Sequence, residues 1–206
     1  MSLPIAEHTS RPWRIHELTP DFRVEDVWAL PWAGEPSEFP HLVQRFVSSD
    51  PMRNPSRAAR ALFAIRTVAG RLLGWDNPDT GIDARVPTLR DRFPADLRDA
   101  PPGPDFGPLP FTSLYLLENE FAAEIANRTM HGVLHIGLVH DEAGGCRARM
   151  AILVKPNGLL GRAYMAAIKP FRHLVVYPAL MRAVERDWHT NAPSTSTASS
   201  PRSVPA

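Results

Sequence analysis

The residues best suited to chemistry fall in one short stretch, EFAAEIANRTMHGVLH, which carries Glu120, Glu124, Asn127, His131 and His135. The H-x-x-x-H spacing of His131 and His135 would serve a metal on a helix, where positions four apart share a face. Their neighbours Gly132, Val133, Ile136 and Gly137 favour a strand instead. There the two rings share a face but stand about 13 Å apart along it, too far for one ion. With no third ligand nearby, the sequence predicts neither a metal nor another cofactor. Two such histidines on a concave face could donate to a ligand or exchange protons with it near neutral pH, with Glu124 as the companion carboxylate. His131, His135 and Glu124 are therefore the candidate catalytic residues.

Glu120 and Glu124 lie on one side of their segment whether it is a strand or a helix, and Asn127, Arg128 and Thr129 follow at once. A carboxylate, an amide and a guanidinium beside the histidines could form the polar end of a ligand pocket. The competing reading is an exposed hairpin corner with a local Glu–Arg pair, which contributes little. Among the scattered tryptophans, Trp28 is expected at a cavity wall, and Tyr164 is a further candidate from the last helix. Core packing is the alternative for both, since a large aromatic ring buries much surface wherever it lies. The expected ligand-binding set is Trp28, Glu124, Asn127, His131, His135 and Tyr164. Nucleophile-elbow, phosphate-loop, dinucleotide and H-E-x-x-H motifs are lacking in the sequence, so the usual hydrolase, kinase and dehydrogenase readings lose their main support.

The elements that must position these groups are legible in outline. Residues 158–188 place Leu160, Tyr164, Ile168, Phe171, Leu174, Met181 and Trp188 near the three-and-four spacing of one helix face. Such a helix would reach about 45 Å. Pro170 and Pro178 each remove a backbone donor, and a bend is expected near Pro170. Ahead of it, residues 111–117, 129–140 and 146–156 read as strands rich in residues that suit a pleated surface. The last two are joined through residues 141–145 as a hairpin. Residues 118–128 are ambiguous between strand and helix. Further upstream, residues 13–18 read as a short strand, 22–30 as a strand with helix as the rival, and 38–47 as a helix. Residues 55–73 form another helix, capped by Asn54 with Pro55 in its first turn. The Pro, Gly and Asp-rich residues 75–110 are either a lid or a surface excursion that packs Leu89, Phe93 and Leu97 on the core.

Length and composition bound the rest. The 206 residues, 44% of them hydrophobic, can bury one sizeable core without needing a second. The expected organisation is a loose start over residues 1–10, one domain over 11–188, and a disordered Ser, Thr and Pro-rich tail over 189–206. A formal charge of +1 gives no overall field for nucleic acid or an anionic membrane. Charges spread through residues 158–188 argue against a membrane span. The single cysteine, Cys146, excludes an internal disulfide, and the first residues lack the pattern of a secretory signal, so a cytoplasmic location is expected.

The order strand, helices, antiparallel strands, long final helix resembles the helix-grip fold of the START and polyketide-cyclase-like (SRPBCC) superfamily. The phrases RPWRIHELTPDFRVEDVWALP, EIANRTMHGVLHIGLV and VKPNGLLGRAYMAAIKPFRHLVVYPALMR are similar to the uncharacterised bacterial family DUF2867. The superfamily likeness implies an α+β fold, a curved antiparallel sheet wrapped around a long C-terminal helix, with a cavity between them. It implies as partner a small hydrophobic or amphipathic molecule. The first alternative is a cofactor-free cyclase or dehydratase-like enzyme in which the histidines and Glu124 move protons, and the second is an interaction module without a ligand.

Overall fold

The computed structural model describes residues 1–48, 81–83, 86–107, 109–140, 145–171, 174, 178 and 181–182. Among these, six strands build one antiparallel sheet: β1 (Ser2–Leu3), β2 (Arg23–Gly34), β3 (Thr112–Leu116), β4 (Glu120–Ala126), β5 (Met130–His140) and β6 (Cys146–Pro156). Their spatial order is β1-β2-β6-β5-β4-β3, so the first long strand pairs with the last. Helices α1 (Ala6–Thr9), α2 (Ile15–Leu18), α3 (Phe39–Ser48) and α4 (Gly158–Phe171) complete an α+β fold. Two 3-10 turns, Leu89–Arg92 and Ala95–Leu97, lie between α3 and β3 in the chain.

Side chains alternate across the sheet and sort it into two unlike faces. On one, Trp28, Met150, Ile136 and Phe121 form a row across β2, β6, β5 and β4, joined by Leu134, Leu138, Ala123 and Ala148. Helix α3 covers this face with Phe39, Leu42, Val43, Phe46 and Val47, a stripe at helical spacing. Glu35 and Glu38 form a capping box at the 3-10 turn Pro36–Glu38 that leads into it. Met181 joins the same apolar cluster. On the opposite face, Val133, Ala151 and Leu153 meet Trp13, Ile15 and Leu18 from the N-terminal segment and Leu89, Phe93 and Leu97 from the two 3-10 turns.

Several expectations change at this level. Residues 13–18, expected as a strand, hold the helical turn α2, in which Ile15 and Leu18 are buried three apart. Thr19 closes it by donating its hydroxyl and its backbone N–H to the Ile15 carbonyl. Within the first ten residues, Ser2 and Leu3 pair with Trp28 and Val27, and His8 is buried. The ambiguous segment is strand β4. Within 75–110, the surface-excursion alternative describes residues 86–100, with Leu89, Phe93 and Leu97 buried and Thr88 capping the first turn by accepting from Arg90 N. The expected helix over 55–73, the turn over 141–144 and the tail over 189–206 lie outside the described residues. Helix α4 is described to Phe171, with Pro170 in its last turn, and its expected continuation to residue 188 lies outside apart from residues 174, 178, 181 and 182.

The outer long strands β2 and β3 each have a neighbour on their outer side. At one, β1 lies along β2 and Ala29 N donates to the Met1 carbonyl. At the other, Leu116 N donates to the Pro101 carbonyl at 2.7 Å and the Ser113 hydroxyl to the Pro104 carbonyl at 2.5 Å, so a proline-rich segment runs beside β3.

Candidate functional site

The polar residues of β4 and β5 gather on the face covered by the N-terminal segment and the two 3-10 turns. Strand alternation puts Glu120, Ala122 and Glu124 on one side of β4 and His131, Val133, His135 and Gly137 on the same side of β5. The register sets His135 opposite Ala122 and His131 opposite Ala126. Each carboxylate therefore meets a histidine on the diagonal, giving two Glu–His pairs four residues apart along the strands. Glu124 Oε2 lies 2.8 Å from His131 Nε2, and Glu120 Oε2 lies 3.0 Å from His135 Nε2. None of the four is more than 2% exposed.

Each pair also holds a segment of chain laid over the sheet. Glu124 accepts the Thr88 hydroxyl at 2.5 Å and the Leu89 N–H at 3.1 Å, so its carboxylate fastens the first 3-10 turn to β4. Phe22 stands edge-on to His131, with ring centroids 5.1 Å apart. Glu120 accepts Arg14 N–H at 2.9 Å and the Tyr115 hydroxyl at 3.1 Å. Alanines 122 and 151 flank His135 in its row and leave room above it for Trp13, whose ring centroid lies 5.3 Å from that of His135. Gly137 is required by the same packing, because a Cβ there would lie 2.8 Å from the Trp13 ring.

A longer chain of bonds starts at Glu120. A carboxylate only accepts, so His135 Nε2 carries a hydrogen and its Nδ1 is the acceptor of a neutral ring. His8 Nε2, 3.1 Å from that Nδ1, donates to it. This leaves His8 Nδ1 as a buried lone pair without a partner among the described residues. The half-buried His16 stands edge-on to His8 at 4.8 Å and reaches the His8 carbonyl with Nε2 at 3.4 Å. Electrostatics fits this proton arrangement. Burial, with the charges of His135 and His16, lowers His8 from 6.5 to about 3. Burial also lowers His135, only partly opposed by its bond to Glu120 and that carboxylate's charge. For Glu120, burial pushes the carboxyl up, but the hydrogen bond and charge of His135 and the donors Arg14 N–H and Tyr115 O–H hold it below its ordinary value. Burial and the adjacent Glu120 push Tyr115 well above its own, so it stays a donor.

The sequence-selected residues thus separate. Glu124, His131 and His135 share this face, but Glu124 pairs with His131 and not with His135. Asn127 shapes the β4–β5 turn: its Oδ1 accepts from Thr129 N, Thr129 Oγ1 and Met130 N at 2.8, 2.8 and 3.1 Å. Trp28 belongs to the opposite, apolar face, away from the histidines. Tyr164 lies on α4, and its side chain is outside the described residues. The selection missed His8, Trp13, Arg14, Tyr115 and Thr88, and recognised Glu120 only as a neighbour. Among the described residues, no group of three or more His, Cys, Asp or Glu could hold a metal ion.

Against known families, the model described as "Protein of unknown function (DUF2867)" matches residues 18–179, from the end of α2 past α4. The chain belongs to the DUF2867 family. Comparisons with curated proteins and with solved structures gave no match. The DUF2867 match contains both Glu–His pairs and the apolar face of the sheet with α3, whereas His8, Trp13, Arg14 and His16 precede it and Met181 follows it. Chemically, a carboxylate that fixes an imidazole's tautomer is the arrangement used to tune a proton acceptor. In this DUF2867 chain both such imidazoles are covered, and the groups that orient them also pin the cover.

Proposed function

We propose that this protein binds a small apolar or amphipathic molecule between the apolar face of its sheet and its C-terminal helix, as a helix-grip protein of the START/SRPBCC kind. One observation carries the reading: the sheet keeps its buried ionisable pairs on one face and leaves the other lined by Trp28, Leu134, Ile136, Leu138, Ala148 and Met150. Met165 of α4 is buried, and Met181 beyond it packs into that apolar cluster, which supports a C-terminal helix held against this face. The order β2, α3, β3 to β6, α4, with β2 closing against β6, agrees with the same architecture. Small side chains at Ala123 and Ala148, between large neighbours, suit a guest with an alkyl or aromatic body.

A second reading, a cofactor-free cyclase or dehydratase, rests on the carboxylate-oriented imidazoles of His131 and His135. It requires the N-terminal segment and the two 3-10 turns to lift from carboxylates that hydrogen-bond them, whereas a guest on the apolar face displaces only apolar contacts, and the binding reading is preferred. Native mass spectrometry of gently purified protein, set against the denatured mass, tests it. We expect a stoichiometric added mass, or saturable binding of a fluorescent fatty acid such as parinaric acid, reduced at least tenfold in Ala123→Phe. A bare mass together with no saturable probe binding would overturn the proposal.

A further inference from the structure

We propose that the N-terminal segment, residues 1–19, is an acid-released cover of the Glu–His face, latched by the one hydrogen that His8 Nε2 donates to His135 Nδ1. This rests on the geometry of the polar face and is independent of what the apolar face binds.

The latch follows from counting protons. His135 Nε2 is committed to Glu120, so His135 can accept at Nδ1 only while that nitrogen is bare. The 3.1 Å separation between the two rings accommodates one hydrogen. If His135 gains a second proton, its Nδ1–H meets the His8 Nε2–H, and two donors face each other in a buried site. If His8 gains one at Nδ1, a cation is placed under cover beside His16, with no carboxylate bonded to it. In the lifted state both rings meet water and take protons at the ordinary imidazole value near 6.5.

From the cover, His16 opposes a charge on His8, while Glu7 is engaged by Arg149 of β6 at 2.5 Å and Arg14 by Asp96 at 2.7 Å and Glu17 at 3.3 Å. From the sheet, Glu120 faces His135 and also accepts from Tyr115 O–H and Arg14 N–H, and the Glu124–His131 pair lies four residues along the strands. The remaining ties of the cover are the two-residue β1 pairing with the Met1–Ala29 bond beside it, the Arg14 N–H bond, the Glu7–Arg149 and Arg14–Asp96 ion pairs, the Arg92 bond to the Leu18 carbonyl and the apolar contacts of Trp13, Ile15 and Leu18. By contrast the strands beneath are joined along their full length. Selective lifting of the cover is therefore favoured over loss of the sheet. Lifting would expose Trp13 and uncover the Glu120–His135 pair, while the Glu124–His131 pair stays under the first 3-10 turn.

Hydrogen–deuterium exchange of the full chain, corrected for the intrinsic pH dependence of exchange, tests the latch at pH 7.5 and 5.0. For His8 alone, at about 3 when covered and 6.5 when free, the ratio of closed to open cover falls about 30-fold over this interval, and His135, also lowered under the cover, adds to the fall. We expect that loss of protection in residues 1–19, with β5 and β6 unchanged. Glutamine keeps an amide donor but takes no proton, so His8→Gln is expected to reduce the change at least fivefold, while His16→Gln retains it. The proposal is overturned if the cover keeps its protection at pH 5.0, if cover and sheet lose protection together, or if His16→Gln abolishes the effect. Should His8→Gln fail to fold, the wild-type comparison of cover with sheet decides alone.

Discussion

Glu124 illustrates how one side chain can join three separate parts of a chain. Its two oxygens accept from the Thr88 hydroxyl, the Leu89 N–H and His131, all in a site closed to solvent. Glu124→Gln preserves shape but turns one acceptor into a donor facing donors. We expect it to cost about 2 kcal/mol, the scale of a charged hydrogen bond lost with a buried donor left unpaired. Urea unfolding measures this, and an unchanged midpoint would contradict the bonding described. The spacing of Glu120, Glu124, His131 and His135 made their common face legible in the sequence, because a repeat of four is even and a strand's side-chain period is two. Pairing along the diagonal was not legible, since it depends on the β4–β5 register. His8 could not be found at all: it reaches His135 across 127 residues and carries no local pattern.

Elements are held by close approaches that one added methyl group would spoil. At the start of α4, Asn157 N and Nδ2 donate to the carbonyls of Thr129 and Asn127, tying the helix to the β4–β5 turn. A Cβ on Gly161 would lie within bonding range of the Thr129 carbonyl oxygen, so this junction needs glycine. Gly161→Ala is expected to destabilise the fold by about 1–3 kcal/mol through overpacking, read as a fall in thermal midpoint. No loss would mean that α4 can move away from the turn freely. Strand periodicity made β2, β5 and β6 readable, and the stripe of Phe39, Leu42, Val43 and Phe46 made α3 readable. Residues 13–18 misled because a window of six cannot separate an alternating Trp13, Ile15 from a helical Ile15, Leu18. The sequence also gave no sign of which covering segment would meet which face, a choice made by long-range packing.

At the scale of the whole molecule, acid should act through the histidine that is neutral when folded. His8, lowered from 6.5 to about 3, binds a proton more readily in the unfolded chain, so its contribution is complete above pH 6.5 and lost as pH falls toward 3. Asp21 acts lower still. The Arg92 hydrogen bond, with help from Lys155, holds it well below the usual carboxylate range despite partial burial. Its share is present above the ordinary carboxylate value and disappears only in strong acid, and solvent and salt weaken it because all three side chains are over a third exposed or close to it. Urea midpoints are therefore expected to be level from pH 8 to 7 and to decline from about 6.5 downward; a decline beginning only below pH 4 would exclude the histidine contribution. Among the described residues, no helix is long and apolar enough to cross a membrane.

The prolines beside β3 have one more consequence. A bare outer strand offers a row of amide and carbonyl groups on which another chain can add itself, and repeated addition leads to fibres. Here the outermost partner of β3 supplies carbonyls from Pro101 and Pro104, and Pro102 between them has no amide hydrogen to offer the next chain. The segment can accept the strand on its inner side without extending the ladder outward. Copies of this protein crowded together are thereby denied a template at that end.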